Sequence, residues 1–449
     1  MANTILFMWL NYIINRKIFF KGSAILVITT ILSYGLGLLR DRMLAHAFGA
    51  SRALDAYNAA FTIPDLLLNI FVAGALSAAF IPIFSDIEQN GTEDGRTQFI
   101  NSVLNGSLLA LLIAGGLAFI FAPQLAHLTV PGFDEASRSS YVSLVRILLL
   151  SPLIFAVSNT LGSILVARER FFWFGISAAL YNAGIIFGVI FFAPSFGIRG
   201  VAYGALLGAL LHLFSRIIGL WRFHFNYHIK LTLDDYYRRF LKLMVPKMIG
   251  HPVEQLTFLG FTIIASGLGA GAIVVLNLSR NFQSMPVAVI GINFALAMFP
   301  TLSRAISARD FIRFRREVWL TGLMTFAVTA LAALVLYLIR YPLIEILIGG
   351  GEFGPEAVNA TAKALGVFAL AIPTESVSHL LARAFYALKD SITPTLISIA
   401  ALLASIGFGY LFSRSMGVSG LALGFFVGSA LKTISLKVFL SFRIRSPLP

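Results

Sequence analysis

The residues of this chain that could do chemistry are charges and amides set inside long apolar runs. The first run ends in Leu38-Leu39-Arg40-Asp41-Arg42, the second carries Asp55, Asp65 and Asn69, and the fourth carries Arg146. In the second half, Lys247, His251 and Glu254 share one run, Asn277, Arg280, Asn281 and Asn293 the next, Glu375, His379 and Arg383 a later one, and Lys432 the last. A charge at the centre of a bilayer costs about 2.5 to 3.5 kcal/mol on insertion scales, so such a residue faces an aqueous cavity or a partner. Arg40, Asp41, Asn69, Arg280 and Asn281 are read as lining a substrate cavity. Arg40 and Asp41 are neighbours on a helix and point about 100° apart, which predicts that each finds a separate partner. Glu375, His379 and Arg383 fall at i, i+4 and i+8 on one helix face, as either a proton or ion relay or a salt-bridge gate. Arg42, Lys247 and Arg383 lie near run ends, where long cations snorkel to the headgroups.

Enzyme chemistry finds no such support. No Gly-x4-Gly-Lys-Ser/Thr phosphate loop and no His-Glu-x-x-His zinc helix occur, and the histidines are scattered. Gly267-Leu-Gly269-Ala-Gly271 follows no strand and reads as a tight turn between apolar helices. Asp234-Asp235 is followed by two tyrosines, so no carboxylate cluster for magnesium is seen. With no cysteine, disulfides, thiolate metal sites and thiol catalysis are all excluded. No cofactor, no metal and no enzymatic activity are expected.

The elements that must position these residues follow from composition. A chain of 449 residues that is 58% hydrophobic and 12% charged belongs in lipid, since soluble proteins carry about twice that charge. At roughly 20 apolar residues per crossing plus a short connector, about 35 residues per unit, the length allows roughly twelve to thirteen transmembrane helices. Runs occur near 23–46, 56–85, 99–125, 141–166, 171–193 and 200–221, then near 240–266, 271–303, 317–339, 358–386, 393–413 and 419–440. Residues 1–20 read as an interfacial lead-in helix without a cleavage site. Residues 21–222 form an N-lobe, 223–239 a cytoplasmic linker and 240–449 a C-lobe. The net charge of +14 would suggest nucleic acid in a soluble domain, but here it collects on loops. About nineteen Lys and Arg fall on one side against eight on the other, which predicts cytoplasmic termini. No nucleic acid partner is expected.

An internal repeat fixes the plan. Gly197-Ile-Arg-Gly200-Val-Ala202-Tyr-Gly204-Ala-Leu-Leu-Gly208 returns 220 residues later as Gly417-Val-Ser-Gly420-Leu-Ala422-Leu-Gly424-Phe-Phe-Val-Gly428. At nearly the same offset Pro82-x-x-Ser85 pairs with Pro300-x-x-Ser303. Two homologous six-helix lobes follow, and an even number of crossings per lobe implies a pseudo-two-fold along the membrane normal. The fold class is therefore an all-α polytopic membrane protein that works by rocking one lobe against the other.

Several blocks resemble the MviN/MurJ family of lipid II flippases, within the multidrug/oligosaccharidyl-lipid/polysaccharide exporter superfamily. They are Leu36-Gly-Leu-Leu-Arg40-Asp41-Arg-Met-Leu-Ala45, Asp55-Ala56-Tyr57, Ile63-Pro64, Gly74-Ala75-Leu-Ser77, Pro131-Gly132-Phe133, Asn281-Phe-Gln283-Ser-Met-Pro286, Phe299-Pro300-Thr-Leu-Ser303 and Asp390-x2-Thr393-Pro394. The resemblance implies that undecaprenyl-pyrophosphate-linked peptidoglycan precursor moves from the inner to the outer leaflet of a bacterial inner membrane. It implies cavity roles for Arg40 and Asp41 and an outer-gate role for Asp55, with Arg280 one residue from the family's helix-eight arginine position at Asn281. Partners would be lipid II, membrane lipids and proteins of cell-wall synthesis. The chain departs from the family at Tyr34, at Leu68 and Asn69, and at Ala73, where members carry arginines or an acid, and it stops at Pro449 where many members add two helices. The alternative is a related exporter of polysaccharide-lipid precursors or drugs, which would lean on Glu254, Glu375 or Asp55 instead of Arg40. Without an ATP site, transport must draw on membrane potential, an ion gradient or consumption of product; 100 mV supplies about 2.3 kcal/mol per charge moved.

Overall fold

The computed structural model describes residues 2–223, 225–250 and 253–445, with the side chains of 2–23, 73–78, 246–247, 249–250 and 445 left aside. His251 and the Lys247 side chain therefore lie outside the described residues, as do the side chains of the lead-in segment 1–20, whose backbone continues unbroken into the helix Ala2–Phe48. Every named element among the described residues is helical.

Nine of these helices are long and apolar enough to cross a membrane, and a tenth crossing is a pair, Pro355–Ala369 and Ala371–Ala387, bent by 42°. The two other predicted runs are not among the spans found in the described residues. Run 56–85 is divided among Arg52–Ala60, Thr62–Leu68, a π-helical turn Asn69–Ala73 and Gly74–Asn90. Run 240–266 is covered by Asp235–Gly250 and Val253–Ser266, with residues 251–252 between them outside the described residues.

The chain forms two compact units. The first comprises residues 1–44, 60–125 and 139–252, the second 45–59, 126–138 and 253–449. The first unit has an aromatic core in which Phe80 stacks on Phe84 and Phe99, with Phe240 edge-on to Phe99. Residues 225–234 do not hang free. Asn101 and Asn105, near the start of the helix Glu93–Ile120, donate to the carbonyls of Asn226, His228 and Lys230 at 2.8 to 3.0 Å. Ser102 Oγ both donates to and accepts from the Thr232 backbone at 3.1 Å. Polar residues at the head of an apolar helix thus satisfy the backbone of an otherwise irregular strap.

The sequence repeat has a structural meaning within each unit. In the first, a Cβ on Gly188 would lie 2.6 Å from the Gly204 Cα, and one on Gly184 would collide with Gly208. In the second, a Cβ on Gly424 would collide with Gly409, and one on Gly420 with the Phe412 carbonyl. The repeated glycines are therefore where the helices Ile198–Gly219 and Val418–Arg445 touch the backbone of the preceding helix, the close approach that lipid-embedded helices need. The turns match too. Gly197 sits at φ 57°, ψ −139° and Gly417 at φ 58°, ψ −135°, left-handed positions that favour glycine. Gly200 N donates to Gly197 O, and Gly420 N to Gly417 O, each at 3.0 Å. The π-helical turn Asn69–Ala73 also has its counterpart in Val287–Ile292.

Overpacking of such a contact typically costs about 1 to 3 kcal/mol. Gly424→Leu is expected to lower the melting temperature in detergent by several degrees and to reduce membrane yield. Gly407→Leu, where an added Cβ meets nothing within 4 Å, is expected to change neither.

Candidate functional site

In the first unit, the Arg40 guanidinium donates from Nε (3.0 Å) and Nη2 (2.7 Å) to Asp41 Oδ1. Its Nη1 donates to Asn182 Oδ1 at 2.9 Å. The expectation that these sequence neighbours seek separate partners is thus corrected. The long guanidinium arm folds back across the 100° between them, and Asn182, from the helix Phe171–Phe187, completes its coordination. Asn182 is itself fixed by donation to Ser33 O and Ala178 O. The Arg40 and Asp41 side chains remain 25% and 17% exposed, so the cation is oriented yet reachable. Arg40 and Asp65 both act electrostatically on the Tyr181 phenol, which places Asp65, from the helix Thr62–Leu68, near this group. Asn69 is half-buried and turns its amide onto its own helix, donating to Asp65 O at 2.9 Å.

A second cation of this unit was not singled out from sequence, because it falls near the predicted end of a run. Arg216 is buried, with Nη1 donating to Ser158 O (2.7 Å) and Asn159 Oδ1 (2.8 Å) and Nε to Ser177 Oγ (3.3 Å). Phe174 covers it, the Ser158 hydroxyl bonds His212 Nδ1 at 2.7 Å, and Gly162 leaves the room it occupies. Its hydrogen-bonding partners are neutral oxygens.

In the second unit, Asp55 is wholly buried. Its Oδ2 accepts from Gly271 N (2.7 Å) and its Oδ1 from Val274 N (2.9 Å), with Arg52 at 3.7 Å. The carboxylate thus sits on the N-terminus of the helix Ala272–Pro286, where unpaired backbone N–H groups and the helix dipole favour an anion. The glycine run leading there is the tight turn expected, with φ 114° at Gly269 and 83° at Gly271. The same junction is fastened by Arg52 donating to Ser266 O (3.0 Å), Gly132 N to Ser266 Oγ (3.1 Å) and His46 Nε2 to Gly349 O (2.8 Å). Of these residues only Asp55 carries an intramembrane charge conspicuous in the sequence.

Elsewhere in this unit, Arg280 lies between two carboxylates. Its Nη2 reaches Glu254 Oε1 at 2.6 Å and Glu375 Oε1 at 3.2 Å, its Nη1 donates to Gln283, and Gln283 Nε2 donates to Glu375 Oε2 at 2.8 Å. Phe258 and Phe425 cover the guanidinium at 4.9 and 5.0 Å. His379 and Lys432 act electrostatically on Glu254, and His379 on Glu375. The structure therefore brings Arg280, Glu375 and His379 together. Arg383 turns back on its own helix toward His379 O (3.4 Å), and Asn281 is exposed on another face. Gln283 and Phe425, embedded in recognisable sequence blocks, gain a role only from this packing. Among the described residues no group of three His, Asp or Glu is placed to hold a metal ion.

Removing one member of a buried ion network leaves its partners uncompensated, at a typical cost of about 3 to 5 kcal/mol. Arg280→Met is accordingly expected to lower the melting temperature in detergent sharply. The triple variant Arg280→Met, Glu254→Gln, Glu375→Gln is expected to recover most of the loss, and equal losses in both would show that Arg280 does not act through these carboxylates.

Comparison with known proteins bears on what these groups serve. The family described as lipid II flippase MurJ matches residues 44–446. The lipid II flippase MurJ of Burkholderia cenocepacia is 28% identical over 425 residues, covering 93% of this chain and 82% of that protein. The probable lipid II flippase MurJ of Thermotoga maritima is 27% identical over 421 residues, with 93% and 83% covered. Among solved structures, a lipid II flippase MurJ in an inward closed conformation superposes with a TM-score of 0.80 at 25% identity, covering 93% of this chain and 87% of that one. An inward-facing multidrug resistance MATE transporter reaches 0.76 at 16% identity, a likeness of fold alone. With its match extending from residue 44 to residue 446, the chain belongs to the lipid II flippase MurJ family.

Proposed function

We propose that this protein flips lipid II across the bacterial cytoplasmic membrane by alternating access, with both termini in the cytoplasm. The observation that carries the reading is the family match over residues 44–446. The chemistry is consistent with it. A pyrophosphate bearing a sugar-peptide headgroup cannot enter hydrocarbon unaided, because each unpaired charge there costs several kcal/mol. Arg40 is a partly exposed cation held in place by Asp41 and Asn182, so it can offer charge-assisted hydrogen bonds to phosphate without first being ordered. Arg280, by contrast, has its fork taken up by two carboxylates and a glutamine, and its role is to hold the second unit's helices together around Glu254 and Glu375 until the cargo or an ion competes for it.

Asp55 serves as the gate. Its two backbone N–H donors close the junction of residues 45–59 with the helix starting at Ala272, and these bonds must break for that side to open. Glu375, His379 and Arg383 form a second gate element in the same unit. The inter-lobe linker is residues 223–239, strapped to the N-lobe of residues 21–222, with the C-lobe beginning at 240. A related exporter of drugs remains the second reading only at the level of shared fold.

Depletion of the protein in its host should make lipid II accumulate on the inner leaflet, and the wild-type gene should clear it. Arg40→Ala is expected to fail to clear it at normal membrane abundance, with at least a tenfold loss of flipping in vesicles, and Arg40→Lys to restore part. Asp55→Asn, which keeps shape but loses the charge, is expected to slow flipping while leaving lipid II binding within about twofold. Full complementation by Arg40→Ala would reject the assignment of the phosphate to this residue.

A further inference from the structure

The second unit contains a groove that none of the transport chemistry uses. It has a volume of about 510 Å³ and is formed by the helices Phe311–Leu347, Ala371–Ala387 and Val418–Arg445. Its walls are apolar, with Trp319, Leu323, Phe326 and Ile434 all substantially exposed. The polar atoms of its floor are already satisfied. Thr433 Oγ1 donates to Thr374 O at 2.7 Å, and the Thr374 and Ser429 hydroxyls bond each other at 2.9 Å. What this surface asks for is therefore hydrocarbon rather than a polar ligand.

Two cations set the identity of the occupant. Arg315 and Lys437 line the same groove, both exposed, and no ion pair of either is found among the described residues. Arg315 stands in the second turn of its helix, about 6 Å from the start at 1.5 Å per residue. The 37-residue helix is about 55 Å long, well beyond a hydrocarbon core of about 30 Å, so its first turns reach the headgroup layer. Lys437 lies about 12 Å from the end of the last helix, within the depth from which a lysine snorkels outward. Around them the stretch from Arg304 to Glu317 holds Arg304, Arg309, Arg313, Arg315 and Arg316. Its acids do not neutralise Arg315: Asp310 caps the Arg313 N–H at 2.9 Å, and Glu317 stands two positions along, on another face. A basic site at the headgroup end of an apolar intramembrane groove is complementary to a phosphate bearing acyl chains.

We propose that this groove binds an anionic phospholipid of the phosphatidylglycerol type, with an acyl chain along Trp319, Leu323 and Ile434 and the phosphate between Arg315 and Lys437. The lipid is a resident of the second unit, separate from the cargo. Each cation near a charged membrane surface contributes about fivefold in binding, so the pair should favour an anionic over a zwitterionic headgroup by more than tenfold.

The test is native mass spectrometry of the full-length protein in detergent, titrated with phosphatidylglycerol or phosphatidylethanolamine of equal chain length. Wild type should retain phosphatidylglycerol with at least tenfold preference. Arg315→Gln and Lys437→Gln should each reduce that preference about fivefold, and the double variant should abolish it. Gly322→Leu, whose added Cβ meets only Leu380 at an ordinary 3.8 Å, fills the groove and should lower retention of both lipids. Unchanged preference in the double variant, unchanged retention in Gly322→Leu, or displacement of phosphatidylglycerol by a prenyl pyrophosphate at equal concentration would each overturn the proposal.

Discussion

A charged or hydrogen-bonding group carried into an apolar helix bundle must bring its partner with it, and this requirement organises the second unit. The Asp55 carboxylate is buried because the first N–H groups of the helix Ala272–Pro286 point at it, and that helix can begin in a dry junction because Asp55 is there. Neither is tolerable alone: an unsatisfied buried donor or acceptor costs about 1 to 3 kcal/mol, and an unpaired charge more. The dependence is reciprocal, so the segment 45–59 and the start of the helix Ala272–Pro286 stabilise one another within the second unit.

The same requirement separates two kinds of arginine. Arg280 and Arg216 are fully engaged, the first by carboxylates and aromatic faces, the second by neutral oxygens under Phe174. Arg40 is bonded to Asp41 and Asn182 and still partly exposed. Presence in an apolar run does not distinguish them, whereas exposure does: the Arg40 side chain is 25% exposed, that of Arg280 11%, and Arg216 is buried.

Backbone proximity supplies the rigidity against which such contacts can switch. In each unit glycines repeated at 220 residues let one helix lie on the backbone of the helix before it, and a left-handed glycine turns the chain between them. Lipid gives helices no hydrophobic reason to associate, so this dispersion-rich contact substitutes for a soluble core.

The sequence alone settled that the chain is helical and lipid-embedded, because hydropathy over some twenty residues is a local property, and it settled the repeat, because glycine spacing is read directly. It also exposed Arg40, Asp55, Arg280 and Glu375, since a charge in an apolar run is conspicuous whatever surrounds it. Tertiary structure alone decided the pairings. That Arg40 folds onto its neighbour and onto Asn182, that Gln283 and Phe425 enclose Arg280, and that Asp55 meets Gly271 all depend on contacts across as many as 219 residues, which no local pattern encodes.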